Sequence, residues 1–369
     1  MNEKFYAIGR NILILFLIIY IGSLIDWMFN PLQVVFETLF IPLILAGLLF
    51  YLLRPFVNLL NKKMSRGISI LFIYLIFIVI IVISLAILGP VLQGQIMSLG
   101  NNIPQIVEGI QEWFLEIDLF NRISQLQQEE FLDMDGYIES AMDTLNNWGR
   151  GAITGVGSLL GSLASAVFTL ILLPILLFYV LKDSKKFQDG FVNLFHQKQQ
   201  PEVRDILVDV DRALSSYIQG QGLVCLFVGI LCLIAFLIIG LDYALLLGII
   251  AGLTNIIPFF GPWIGSIPAV IVALFLSPIT ALLTVLAIII IQQIESNLIS
   301  PQIIGKKLNL HPLVIIFLIL VAGQLAGLIG MILVVPLFAS ARVLFTHGRK
   351  IWKIKKKPIK EIPERGKLH

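Results

Sequence analysis

Between Tyr243 and its basic C-terminal tail this chain carries one carboxylate, Glu295, with Asn297 two positions further on. A charged side chain near the centre of a bilayer costs about 2.5 to 3.5 kcal/mol on insertion scales, so by default it marks a substrate or proton pathway. A second group of polar and backbone-bending residues lies upstream in "GLTNIIPFFGPWIGSIPAVIV", residues 252–272, which holds Thr254, Asn255, Pro258, Gly261, Pro262, Gly265 and Pro268. A third is the small-residue run Ala322–Gly323–Gln324–Leu325–Ala326–Gly327. These residue types can coordinate a ligand through amides, hydroxyls and unpaired peptide groups, and Glu295 can carry a proton. They do not make a covalent catalyst. His-Glu-x-x-His is missing, no convincing Gly-x-Ser-Gly is present, and four histidines, two of them in the tail, form no metal cluster. A Gly-rich phosphate loop ending in Lys-Ser or Lys-Thr is also missing, which removes ATP-driven transport. The sequence implies no cofactor and no metal.

The elements that must position these groups are membrane helices. The chain has 369 residues, 58% of them hydrophobic and 13% charged, about half the charge usual for a soluble domain. Runs such as "GISILFIYLIFIVIIVISLAIL", residues 67–88, contain no charge and exceed the roughly 18 residues needed to cross a ~30 Å hydrocarbon core. The ten-residue alternation of a membrane barrel is nowhere seen. The fold class is therefore all-α, a polytopic helical membrane protein. Cys225 and Cys232 fall in one helix about 10 Å apart along its axis, too far for a disulfide.

Expected spans are Ile12–Phe29, Val34–Leu53, Gly67–Leu88, Val156–Leu181 and Leu223–Gly240, followed by an interrupted apolar region from Tyr243 to Phe345. Lysine and arginine cluster before span one, between spans two and three, between spans four and five, and after Leu344. Between spans three and four the bias reverses: ten carboxylates from Glu108 to Asp143 oppose Arg122 and Arg150. The positive-inside rule then puts both termini in the cytoplasm and the acidic segment outside. This divides the chain into spans one to three (1–88), an acidic extracytoplasmic helical segment (89–155), span four with a cytoplasmic amphipathic helix (156–222), a core of interrupted helices (223–345) and a basic cytoplasmic tail (346–369). Apolar residues from Ile103 to Phe120 recur at helical spacing, so the outer segment begins as an amphipathic helix. Basic residues follow membrane boundaries and form no separate nucleic-acid-binding domain; the tail suits anionic lipid.

Two hairpins are expected in the core. Residues 244–257 and 263–276 form arms of ~21 Å each at 1.5 Å per residue, with Pro258, Gly261 and Pro262 breaking the helix between them. The run from His311 to Phe338 repeats the pattern around Gly323–Gly327. Parity places the two hairpins on opposite faces, the arrangement of an inverted repeat around a midplane site; pairs of full spans preserve the same parity. Broken backbone persists at membrane depth only where protein or water surrounds it, and its helix ends present partial charges to a ligand. An ordinary turn between two tilted spans is the structural alternative. For Glu295 the alternative is an interfacial carboxylate paired with Lys306 or Lys307, four positions from a span end near Ile299. On the pathway reading, a bulky residue at Gly261 stops flux without stopping assembly.

The stretches "YIQGQGLVCLFVGIL" (217–231), "LLLGIIAGLTNIIPFFGPWIGSIPAVIVAL" (245–274) and "IESNLISPQIIGKKLNLHPLVIIFLILVAGQLAGLIGMILVVPL" (294–337) resemble the autoinducer-2 exporter family of bacterial membrane proteins. The likeness is specific over Tyr217–Arg342; the earlier spans agree in layout. It implies an inner-membrane permease of about eight hydrophobic segments, assembled as a homo-oligomer, whose members are proposed to export autoinducer-2 or reported as sodium or lithium/proton antiporters. The family's motif residues map onto Asn255, Ile257, Pro258, Phe260, Gly261 and Pro262, and then onto Glu295, Asn297, Pro301 and Gly305. One scaffold with several cargoes does not fix the cargo here.

Overall fold

The computed structural model describes residues 9–10, 13–14, 17, 26–116, 144, 163–303 and 311–356. All regular structure among them is helical. Most of the first expected span, the acidic segment beyond Glu116, the start of the fourth span, Lys306 and Lys307, and the tail after Lys356 lie outside the described residues.

Helix α1 (Asp26–Leu60) and helix α2 (Arg66–Glu116) are joined by a short turn, and α3 spans Leu163–Val192. With 51 residues, α2 is about 76 Å long at 1.5 Å per residue. The expected third span and the amphipathic helix after it are therefore one rod, running past Gly89 and Pro90. These three helices share a core. Ala46, Phe50, Leu53 and Val57 line one stripe of α1 against Ile70 and Ile73 of α2 and Leu177 and Leu181 of α3. Arg66 closes the bundle, donating to the Leu181 carbonyl at 2.6 and 2.9 Å and to Ser184 Oγ at 3.0 Å.

Helix α4 (Gln200–Ile239) organises the second half. Pro201 occupies its first turn, where the missing N–H is not needed, and Gly240 ends it at φ 80°. The amphipathic stretch and the fifth span are continuous, and the helix runs unbroken through residues 222–223. Against it pack α5 (Ala244–Thr254), α7 (Pro278–Ile294) and the long α9 (Pro312–Lys356); α6 (Phe260–Leu276) packs on α5 and α7. Ser277 caps α7, its side chain accepting from Thr280 N at 3.1 Å, with Pro278 at the first helical position. A π-helical turn, Glu295–Ile299, and α8 (Ser300–Ile303) continue it.

Lipid tails are as apolar as leucine, so packing inside the bilayer relies on close approach and hydrogen bonds, with small residues at the contacts. The α4–α5 seam shows this directly: a Cβ added at Gly252 would stand 2.9 Å from the Cys225 carbonyl oxygen and from Gly229 Cα, and one at Gly248 would stand 2.9 Å from Leu233 Cβ. The halves are joined by Arg54 Nη1, 2.7 Å from both oxygens of Asp211, and by Gln219, which donates to the Tyr51 carbonyl at 2.8 Å.

Among the described residues, five segments are long and apolar enough to cross a membrane: Thr38–Leu60, Arg66–Asn102, Gln200–Ile239, Pro278–Ile303 and Leu313–His347. Two shorter apolar helices, Ala244–Thr254 and Phe260–Leu276, accompany them.

Candidate functional site

The helix through residues 252–272 is broken, as its prolines and glycine require. The break begins earlier than the residue pattern predicts, leaving arms of 11 and 17 residues, about 16 and 26 Å long. Pro258 accounts for the shift at the first arm, because in a continuing helix its ring would clash with the Thr254 carbonyl and it has no N–H to bond there. Pro262 does not widen the gap. It falls in the first turn of α6, where a missing N–H breaks no bond. Within the break Phe259 sits at φ 65°, ψ −42°, and Phe260 N–H donates to the Pro258 carbonyl at 2.8 Å. That is a γ-turn of the positive-φ kind, which costs of order 1–3 kcal/mol at a non-glycine residue and is found mainly at functional sites.

The arms fold back on one another closely enough that position 261 must be glycine. A Cβ there would lie 2.1 Å from the Thr254 carbonyl oxygen and 2.5 Å from Asn255 Cα. Thr254 turns its hydroxyl onto its own helix, donating to Ile250 O at 2.8 Å, and does not face outward as a free ligand. Asn255 is 4% exposed. Its side-chain amide bonds to nothing among the described residues, while its backbone carbonyl accepts from Gln221 Nε2 of α4 at 2.7 Å. Counting along α4, Gln221 lies about 15 Å from Asp211 and about 27 Å from Ile239. The tip therefore lies against the uncharged part of α4, between Arg212 and Gly240.

The π-helical turn that Glu295 opens also packs on α4, and the Cys225 carbonyl of α4 lies against Gly252, three positions before Asn255. Glu295 opens the π-helical turn and accepts from Ser300 Oγ; such single turns occur often at functional positions. The span does not end near Ile299, since helix continues to Ile303, so Glu295 lies about 12 Å from the described end. Among the described residues it has no ion pair. Asn297 is exposed and folds back, donating to Gln293 O at 3.0 Å and Oε1 at 2.8 Å.

The second expected break is present at Ala326 (φ −139°, ψ 22°) and Gly327 (φ 56°, ψ −143°), where the chain reverses inside α9. The positive φ explains the glycine at 327. A Cβ at Gly330 would stand 2.1 Å from Ala322 O, and one at Gly323 would stand 2.4 Å from the Met331 methyl, so both glycines serve the packing of the hairpin arms. Gln324 is exposed near the tip. This hairpin packs on α4, its far end tied by His347 Nε2 to Asp209 Oδ2 at 3.0 Å. It shares α4 with the first hairpin as a support and does not pack extensively on α5 or α6.

Two buried residues of α4 were missed by the residue pattern: Gln221, which holds the tip, and Tyr217, one turn before it. Both stand in "YIQGQG" (217–222), where polar side chains at i and i+4 open an apolar run, and that spacing is the available signal. Replacing Gln221 with leucine leaves the Asn255 carbonyl unpaired, so stability should fall by about 1–3 kcal/mol, read as a lower melting temperature in detergent.

With two discontinuous helices placed around α4, comparison with known proteins becomes decisive, and residues 12–350 match the AI-2E family transporter family. The chain belongs to that family. Similar relatives include "Putative transport protein YueF" of Bacillus subtilis, 37% identical with 97% of each chain covered. "Putative transport protein YrrI" of the same organism is 35% identical, over 91% of this chain and 94% of the relative. "Putative permease PerM" of Escherichia coli is 28% identical, over 82% and 85%. This AI-2E family member is thus a multi-pass membrane transporter.

Proposed function

We propose that the protein is a secondary transporter of a bacterial cytoplasmic membrane, with both termini in the cytoplasm, that exports a small polar solute such as the autoinducer-2 signal. The observation that carries this reading is the buried tip of the broken α5–α6 helix, with an unpaired Asn255 amide beside it and the lone carboxylate Glu295 on the neighbouring span. On this reading Asn255 and the turn up to Pro262 coordinate the solute, the Gly323–Gly327 hinge borders the pathway from the second hairpin, and Glu295 takes up and releases the coupled proton. A homo-oligomer embedded in lipid is the proposed assembly.

Monovalent cation/proton antiport is the second reading, and one feature favours it: no lysine, arginine or histidine occurs from Ala213 to Gly305. The carbonyl end of α5, about half a negative charge, and Glu295 then act without a compensating cation. The test is purified protein in liposomes offered autoinducer-2, sodium, lithium and potassium, with and without a pH gradient. Gradient-dependent movement of autoinducer-2 supports export, and cation movement alone supports antiport. No movement of any of them indicates a non-transporting scaffold.

A further inference from the structure

Tyr217 is 6% exposed, and its hydroxyl is the one buried side-chain polar atom with no hydrogen-bond partner among the described residues. A buried hydroxyl left unpaired is destabilising, and native structures retain few without a reason. Tyr217 lies one helical turn before Gln221 on the same face of α4, and Gln221 holds the carbonyl of Asn255, whose own side-chain amide is also unpaired. Each partner of the bond that holds the hairpin tip thus has a hydrogen-bonding group without a partner among the described residues next to it: Tyr217 one turn from the donor Gln221, and the side-chain amide of Asn255 itself. Both can donate and accept, as a ligand hydroxyl can. No lysine, arginine or histidine occurs from Ala213 to Gly305, so this part of α4 and the first hairpin offer an anionic group no cation of their own.

We propose that Tyr217 is a ligand-contact residue: its hydroxyl and the Asn255 amide together bind an uncharged, hydroxyl-bearing part of the transported solute, while Gln221 positions the tip between them. The inference rests on the transport reading above. It adds α4 as a second wall of the site and makes the substrate class uncharged and hydroxylated. A tyrosine kept only for packing would lose nothing when its oxygen is removed, whereas a contact residue would lose affinity as the fold is relieved of an unpaired group.

The experiment compares Tyr217→Phe with Tyr74→Phe in proteoliposomes, using autoinducer-2 and sodium as separate probes, alongside melting temperatures. The Tyr74 hydroxyl donates to the Pro174 carbonyl at 3.1 Å, between α2 and α3 and outside the hairpin, so its loss reports on structure alone. Expected for Tyr217→Phe is a KM for autoinducer-2 raised about tenfold, the worth of one buried hydrogen bond, with an unchanged or higher melting temperature. Tyr74→Phe should lower the melting temperature slightly and leave KM alone. A KM within twofold of wild type for Tyr217→Phe, or a fall in its melting temperature matching the loss of flux, overturns the contact role. Wild-type protein that moves sodium but not autoinducer-2 overturns the hydroxylated substrate class. Wild-type protein that moves neither overturns the transport reading, and the role of Tyr217 with it.

Discussion

Gly261→Leu should abolish transport and also lower the melting temperature sharply, with Gly261→Ala giving a smaller loss of both. The reason is contact with backbone: even a methyl group would stand 2.1 Å from the Thr254 carbonyl oxygen, and a peptide group cannot swing aside as a flexible side chain does. Overpacking of this kind costs about 1–3 kcal/mol where side chains can adjust, and more where they cannot. This changes the expectation drawn from residue types, in which bulk at position 261 blocked a pathway and left assembly intact. Melting curves from fluorescence-detected size exclusion, run beside liposome flux, decide between them. A Gly261→Leu protein with wild-type melting and no flux would restore the pathway-blocking account; wild-type flux would remove the close-packed tip from the mechanism altogether.

Glu295→Gln should abolish coupling to a pH gradient and leave membrane insertion and melting temperature near wild type. Glutamine matches glutamate in size and still offers an oxygen to Ser300 Oγ, so the π-helical turn keeps its bond. What is lost is the only titratable carboxyl between Tyr243 and the tail. Flux measured with and without an imposed gradient checks this, and a mutant that retains wild-type gradient dependence would exclude Glu295 as the proton carrier.

The sequence was most legible where backbone chemistry constrains the chain. Proline at 258 and glycine at 261 dictate a break, and the run Ala322–Gly327 dictates another; both breaks are present at those places. Span type was equally plain, because an uncharged run such as residues 67–88 has no other stable solvent than lipid. Boundaries were less legible. Nothing in Gly89–Pro90 reveals that α2 continues as one rod to Glu116, since glycine and proline are the residues that usually interrupt a helix. Side-chain roles were least legible. Thr254 and Asn255 look alike as adjacent polar residues, yet one satisfies itself on its own helix while the other is left unpaired at the tip. Tyr217 and Gln221 are marked only by their i, i+4 spacing at the start of an apolar run, which does not name a partner, because the bond from Gln221 crosses between residues 34 apart in the chain.

The first hairpin is fastened at two points. At its start, Gln95 of α2 accepts from Leu246 N at 3.0 Å, and Asn102 of α2 donates to the Tyr243 hydroxyl at 2.9 Å. At its tip, Gln221 of α4 holds Asn255. A rigid arm pinned at both ends cannot slide; it can pivot only by releasing one pin. Because the pins belong to different helices, a relative displacement of α2 and α4 loads the tip bond together with the close glycine seam between α4 and α5.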